Sequence, residues 1–242
     1  MMSTKLPSED FPGTWRTMSL CQFQAMILFL LSCLAHAGDA GPSVSYGIDQ
    51  QRSLVRIFVY RAGALKVFGH DHLVSTTVID GDLTYTPPPA LDASFKLTIP
   101  VDDLVVDDPK QREMAGGNFS APMPAKDRRG TRKNLLSDKV LNATVFPDIT
   151  ITGRWRDGSS SHGTVAATID LLNKRYQYDV PIDIEMHNDR LTVSGKLHLS
   201  QRELNIMPLS ILGGTIKVAD GIDVSFTLTF VPVAVADLPR QK

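Results

Sequence analysis

The chain has 242 residues, 43% of them hydrophobic, and 25 basic residues against 26 acidic ones give a formal net charge of −1. That balance excludes a general nucleic-acid surface and a strong trap for anionic substrates, and the length suffices for one large domain behind a leader. The two cysteines, Cys21 and Cys33, both lie near the N-terminus, so an exported domain would rest on its core without disulfides.

Lys5 and Arg16 precede an apolar run over residues 25–35, which leads into Ala35-His36-Ala37. This is the pattern of a secretory signal peptide over residues 1–37 with a small-x-small cleavage site, and the apolar run is too short to span a membrane. Met18 offers an alternative start. Leu30-Leu31-Ser32-Cys33 offers a second processing route, in which Cys33 becomes a lipidated first residue. The expected mature chain is periplasmic or extracellular, has no transmembrane span, and on the second route is anchored through Cys33.

Two-residue alternation then predicts strands over residues 44–48, 53–60, 72–85, 93–101, 149–156, 164–172, 176–186, 190–199, 215–218 and 222–231. In the segment 176–186 the apolar residues Tyr176, Tyr178, Val180, Ile182, Ile184 and Met186 alternate with Gln177, Asp179, Pro181, Asp183 and Glu185. In 222–230 the apolar set is Ile222, Val224, Phe226, Leu228 and Phe230. Successive strand side chains point to opposite faces, so each segment has one apolar face and one wet face. Tight turns are expected at Asn173-Lys174, at His187-Asn188-Asp189 and at Asp220-Gly221. Pro87-Pro88-Pro89 makes a rigid connection between strands.

Residues 107–142 break the pattern with Pro109, Gly116-Gly117, Pro122 and Pro124, and predict short helices over 108–115 and 126–141. Such an insertion is either a lid or plug over a cavity, or a cap on an open barrel end that buries Leu136 and Val140. Its basic residues Lys126, Arg128, Arg129, Arg132 and Lys133 read as a solvated helix face, with a headgroup patch as the rival reading. Residues 234–242 read as a flexible tail. The fold class is therefore all-β: an antiparallel sheet over residues 38–233, with a short helical insertion, that must close on itself as a barrel or be covered.

An apolar barrel interior is either a filled core or a ligand tunnel, and alternation fits both. The candidate lining residues are Phe95, Leu97, Trp155, Tyr176, Tyr178, Ile182, Val193, Leu197, Phe226, Leu228 and Phe230. Gly69-His70-Asp71-His72 places His70 and His72 on one strand face, half of a metal site or a polar group at the barrel mouth. There is no Gly-x-Ser-x-Gly elbow, no phosphate-binding glycine loop and no His-Glu-x-x-His helix, so no enzyme and no cofactor is expected.

In order, the chain carries the Gly69-His70-Asp71-His72 turn, Phe95-Lys96-Leu97-Thr98-Ile99-Pro100-Val101, and Arg132-Lys133-Asn134-Leu135-Leu136 in the insert. Val145-Phe146-Pro147-Asp148-Ile149, Leu204-Asn205-Ile206 and the run Gly213-Gly214-Thr215-Ile216-Lys217-Val218-Ala219-Asp220 follow. This order resembles the YceI-like family of exported bacterial proteins over nearly all of residues 44–233. The resemblance implies a lipocalin-like barrel that holds a long-chain isoprenoid lipid, polyisoprenoid or quinone-like, without catalysis. It also implies a periplasmic location and leaves a homodimer open. The central hairpin departs from the family's Gly-x-Thr pattern, reading Leu172-Asn173-Lys174-Arg175-Tyr176. Under this reading His70, His72 or the basic insert meets the lipid headgroup. A metal-binding protein or metal-dependent enzyme centred on His70 and His72, and a non-catalytic interaction module with a solid core, are the alternatives.

Overall fold

The computed structural model describes residues 42–233. The signal peptide over 1–37, Cys33 and the tail over 234–242 lie outside the described residues. Twelve strands are seen in the described chain. They are β1 (Val44–Ile48), β2 (Leu54–Ala62), β3 (His72–Thr76), β4 (Asp80–Thr86), β5 (Asp92–Pro100), β6 (Val105–Val106), β7 (Asp148–Gly158), β8 (His162–Leu171), β9 (Lys174–His187), β10 (Arg190–Ser200), β11 (Ser210–Ile211) and β12 (Ile216–Pro232). Between β6 and β7 lie helices α1 (Pro109–Ala115) and α2 (Ala125–Leu136).

The strands close into an eight-stranded antiparallel barrel in the order β1-β4-β5-β7-β8-β9-β10-β12, with β12 returning to β1. Closure removes the exposed edges that the alternating strands would otherwise leave unpaired. The long β12 serves both β1 and β2, pairing Phe230 with Ile48 and Thr227 with Leu54, so β1 and β2 are halves of one interrupted strand. The interruption is held by buried Ser53, whose hydroxyl accepts from the Thr229 N–H at 3.0 Å and donates to the Thr229 carbonyl at 3.5 Å. Strands β3 and β4 are likewise halves of the expected 72–85 strand, broken at residues 77–79.

Two barrel ends follow from this connectivity. The upper rim holds the end of β2, the start of β3, the end of β10 and the start of β12. The lower rim holds the loops 87–91, 159–161 and 188–189. The two tight hairpins use left-handed pairs, Leu172-Asn173 (φ 52° and 59°) and Asn188-Asp189 (φ 48° and 61°), as a two-residue type I′ connection requires. The first of these sits one residue earlier than expected.

Asp220-Gly221 is not a turn. Both residues lie within β12, where the register shifts between Val218 and Ile222 as a bulge. Their turn-like composition serves cross-strand contacts instead. A Cβ on Gly221 would sit 2.7 Å from Cε1 of His198, so the glycine makes room for that ring. The Asp220 carboxylate accepts from Ser200 Oγ at 2.7 Å and from the Arg202 N–H at 3.0 Å.

Helix α1 starts as its sequence dictates: Asp108 caps it by accepting from the Gln111 N–H at 2.9 Å, and Pro109 occupies the first turn. Helix α2 is shorter than the expected 126–141. It ends at Leu136, where Ser137 takes an extended conformation, and residues 137–146 continue as turns around left-handed Asn142.

Candidate ligand cavity

The barrel interior is a cavity of about 280 Å³. Of its 37 lining residues among those described, only Gln201 is neither aliphatic nor aromatic, and its side-chain N–H donates to the Ala219 carbonyl at 2.7 Å. Of the residues named from sequence, Phe95, Leu97, Trp155, Ile182, Val193, Leu197, Phe226, Leu228 and Phe230 line this cavity. Tyr176 and Tyr178 do not. They pack half-buried against the edge of the core, because the wall opens beside them.

That opening is a break in one ladder. The β9–β10 register runs from His187↔Arg190 to Ile182↔Gly195 and stops there. The next β9 residue is Pro181, which has no N–H to donate to a ladder. From there the first half of β9 stays paired only with β8, and the second half of β10 only with β12, among the described residues. The loop after β10 covers the seam. It carries buried Leu204 and Ile206 into the cavity lining. Its Glu203 lies close enough to Tyr178 that, after burial, its charge helps to raise the phenol pKa. The insertion closes the rest of the upper end, with Leu135, Val140 and Leu141 in the lining beside Leu104, which precedes it. The insertion therefore caps the barrel and lines the cavity at once.

Three glycines keep the lumen open. Phe95 pairs across strands with Gly153, and Phe226 with Gly195. Trp155 reaches diagonally over Gly163. An ideal Cβ would lie 2.3 Å from Phe95 Cζ at Gly153, 2.0 Å from the Trp155 ring at Gly163, and 2.6 Å from Phe226 Cζ at Gly195. Each ring thus occupies the space a side chain would take and lies flat on the wall, not across the lumen. Sequence reasoning named the rings and missed the glycines. The available signal was a glycine at an inward position of each alternating strand. Sequence reasoning foresaw the strand that is β2 but not that its Val55, Ile57 and Val59 line the cavity, nor that the loop residues Leu204 and Ile206 do.

The His-Asp-His turn is structural, and neither histidine lines the cavity. His70 is exposed. His72 bonds through Nδ1 to Asp107 Oδ2 at 2.7 Å, and Asp107 is fully buried. Asp107 also accepts from the Leu73 N–H at 2.9 Å and from Arg112 at 2.6 Å, and Arg112 donates onward to the Asp71 carbonyl at 2.8 Å. Burial alone would raise the Asp107 carboxyl pKa. The bonds from His72, the Leu73 N–H and Arg112 outweigh it and hold the group below the usual carboxylate range. This network ties α1 to β3. Among the described residues no three His, Cys, Asp or Glu side chains converge as metal ligands would.

A second polar cluster lies on the outer wall. Tyr60 donates to Asp223 Oδ2 at 2.6 Å, and His198 Nδ1 meets Asp223 Oδ1 at 2.7 Å. Burial, then the bond to Asp223, pushes the Tyr60 phenol up to about 12. Tyr60 and Phe58 also clasp buried Phe119 edge-on, at 5.9 and 5.3 Å between ring centres, which seats the segment after α1 on the outside of β2.

No protein-family model matches the sequence. No curated protein matches it either. Solved structures do. BcnA from Burkholderia cenocepacia superposes with a TM-score of 0.56 at 14% identity, over 75% of this chain and 98% of that one. A polyisoprenoid-binding domain from Saccharophagus degradans matches at TM-score 0.48 and 13% identity, over 78% and 99%. A Campylobacter jejuni YCEI protein matches at TM-score 0.41 and 12% identity, over 58% and 72%. At these identities the likeness is one of fold.

Proposed function

We propose that this chain, whose barrel has the YceI-like fold, is a non-catalytic carrier of a long-chain isoprenoid lipid, working in the periplasm after export. The observation that carries the reading is a cavity of about 280 Å³ with an almost wholly apolar wall. An empty apolar cavity costs about 24 cal/mol per Å³, so leaving this one vacant would cost about 7 kcal/mol, comparable with the whole stability of a domain. Water cannot fill it well, because the lining offers no set of polar partners. A hydrocarbon occupant removes that cost and gains about 0.8 kcal/mol per buried methylene, less the cost of ordering the chain.

Length favours a chain longer than an ordinary acyl tail. The lining residues run from Leu191 on β10 to Gln201, the residue just beyond its end. Ten steps of about 3.3 Å, on strands tilted by about 40°, give a lumen about 25 Å long. An acyl tail fills one leaflet, about 15 Å of hydrocarbon. Among the described residues of the wall the only ionisable side chain is the Tyr85 phenol, so they present no nucleophile or general base to such a chain. The test is native mass spectrometry of protein isolated from its own cells. A discrete added mass that fragments as an isoprenoid is the expected result. An apo mass, or an occupant with a short or polar body, overturns the reading.

A further inference from the structure

The upper rim carries an apolar surface that the cavity does not use. The loop between β2 and β3 exposes Leu65, Val67 and Phe68, the latter two at 72% each. The loop leading into β11 exposes Met207 at 69%. Val67, Phe68 and Met207 are the most exposed large apolar residues among those described, and with Leu65 they flank one strand. On one side, the Leu65 N–H donates to the Thr215 carbonyl at 2.8 Å, and Lys217 pairs with Ala62. On the other, Lys217 pairs with Ser210 and the Val218 N–H donates to the Leu209 carbonyl at 2.8 Å. Solvent contact at so many large side chains in one place has a cost that a partner surface would remove.

The charges in the first loop and on the strand between the two are positive. Lys66 lies within the first loop, and exposed Lys217 sits between the two. Arg61 is committed to the Gly69 carbonyl and to Asp71, and the Asp71 carboxylate accepts from the Arg61 N–H, so that acid is neutralised inside the fold. Asp220 is held by Ser200 and Arg202. Glu203 stands farther along the loop that closes the seam. His70 adds a further titratable group on the same connection.

The rim is also continuous with the cavity. The segment that exposes Met207 is the one whose Leu204 and Ile206 fill the seam between β9 and β10. Ile206 in the lumen lining and Met207 in solvent are neighbours in the chain. Apolar tips beside lysines at a hydrocarbon-lined opening match the interface of an anionic bilayer, where apolar groups enter the acyl boundary and lysines meet headgroups.

We propose that the upper rim is a membrane-docking surface: Leu65, Val67, Phe68 and Met207 insert into an anionic lipid bilayer, Lys66 and Lys217 meet its headgroups, and the lipid enters through this end. The passage of lipid rests on the carrier reading; the docking does not. The test compares the wild-type protein with Val67→Ser/Phe68→Ser in co-sedimentation with phosphatidylethanolamine–phosphatidylglycerol vesicles. In parallel, a fluorescent polyprenyl probe is supplied either in those vesicles or in detergent micelles. Burying two such side chains is worth more than tenfold in partitioning, so the variant should lose at least tenfold in vesicle binding. It should lose transfer from vesicles while loading from micelles as the wild type does. Lys66→Gln and Lys217→Gln should each cost about fivefold at low salt on anionic vesicles and little on neutral ones. Wild-type protein that ignores vesicles, or a serine variant that binds them equally, overturns docking and turns the patch into a protein-facing surface. Vesicle binding that depends on Val67 and Phe68, with no probe taken up from either source, supports docking and overturns the carrier reading.

Discussion

Gly153→Ala tests whether the glycine–aromatic pairs set the bore of the lumen. All three nearest atoms to the added methyl belong to the Phe95 ring, at 2.3, 2.4 and 3.2 Å, and none is backbone. Ordinary contact begins near 3.4 Å, so Cζ must retreat by at least about 1.1 Å. The wall lies on one side, so the ring moves towards the lumen. The apo protein should tolerate this. Overpacking costs about 1–3 kcal/mol, and replacing a strand glycine returns about 0.5–1 kcal/mol, leaving a net loss of about 0–2.5 kcal/mol.

The bound chain should suffer more. Phe95 stands in the lower half of the barrel, beyond which only the deepest part of a ligand extends. Losing one five-carbon unit from burial forfeits about 4 kcal/mol before ordering costs are returned. Affinity for a long prenyl probe should therefore fall between about tenfold and a thousandfold. The distribution of co-purified chains in native mass spectrometry should shift to shorter members. Gly153→Ala/Phe95→Ala should restore the long ones, since the methyl then has no ring to displace. An intact fold with the same chain distribution and an affinity within about twofold of wild type would refute the reasoning.

Gly130→Ala is the contrasting case: nothing lies within 4 Å of its Cβ position in α2, so it should stabilise by about 0.5–1 kcal/mol and leave ligand binding unchanged. Arg112→Met should cost about 3–5 kcal/mol in urea unfolding, because it leaves the Asp107 carboxylate buried with only His72 and the Leu73 N–H as partners. The depressed folded-state pKa of Asp107 means its contribution is present above its unfolded value of about 4 and is lost as pH falls through the lower folded value; Asp107→Asn should lower stability at neutral pH and flatten the acid limb of stability against pH. Tyr60 behaves oppositely: its contribution holds below about pH 10 and is lost as pH rises towards about 12, so Tyr60→Phe should remove part of the alkaline loss of stability measured by circular dichroism.

Most of the barrel was legible because its strands have one apolar face each, and period-two patterning carries both the strand and its orientation. That is why Phe95, Leu97, Val193, Leu197 and Phe226 could be named as inward before any pairing was known. The failures share a cause: local composition stood in for cross-strand context. Asp220-Gly221 has turn residues, yet Gly221 exists to admit the His198 ring and Asp220 to bind Ser200 and Arg202. His70 and His72 have metal-ligand spacing, yet His72 serves a buried aspartate thirty-five residues away. Tyr176 and Tyr178 continue the alternation of β9 without a break. The one sign in their own segment is Pro181, beyond which the partner strand has left them.

The same reasoning connects the seam with the docking rim. A fully laddered barrel of this size could open only by breaking backbone hydrogen bonds, each a cooperative part of the sheet. Here the upper part of the wall between β9 and β10 is closed by side chains, Leu204 and Ile206, on a loop. Withdrawing them costs apolar burial, and a bilayer at the opening supplies an apolar surface in exchange. Opening is thus costly in water and cheap at a membrane, the difference a carrier needs in order to keep its cargo in transit and release it on arrival. Replacing Leu204 and Ile206 together with serine should separate the two conditions: loss of the bound prenyl probe in vesicle-free buffer should quicken at least tenfold, while the rate of transfer into vesicles changes little. Equal acceleration of both rates would mean that the loop only plugs a hole and takes no part in loading.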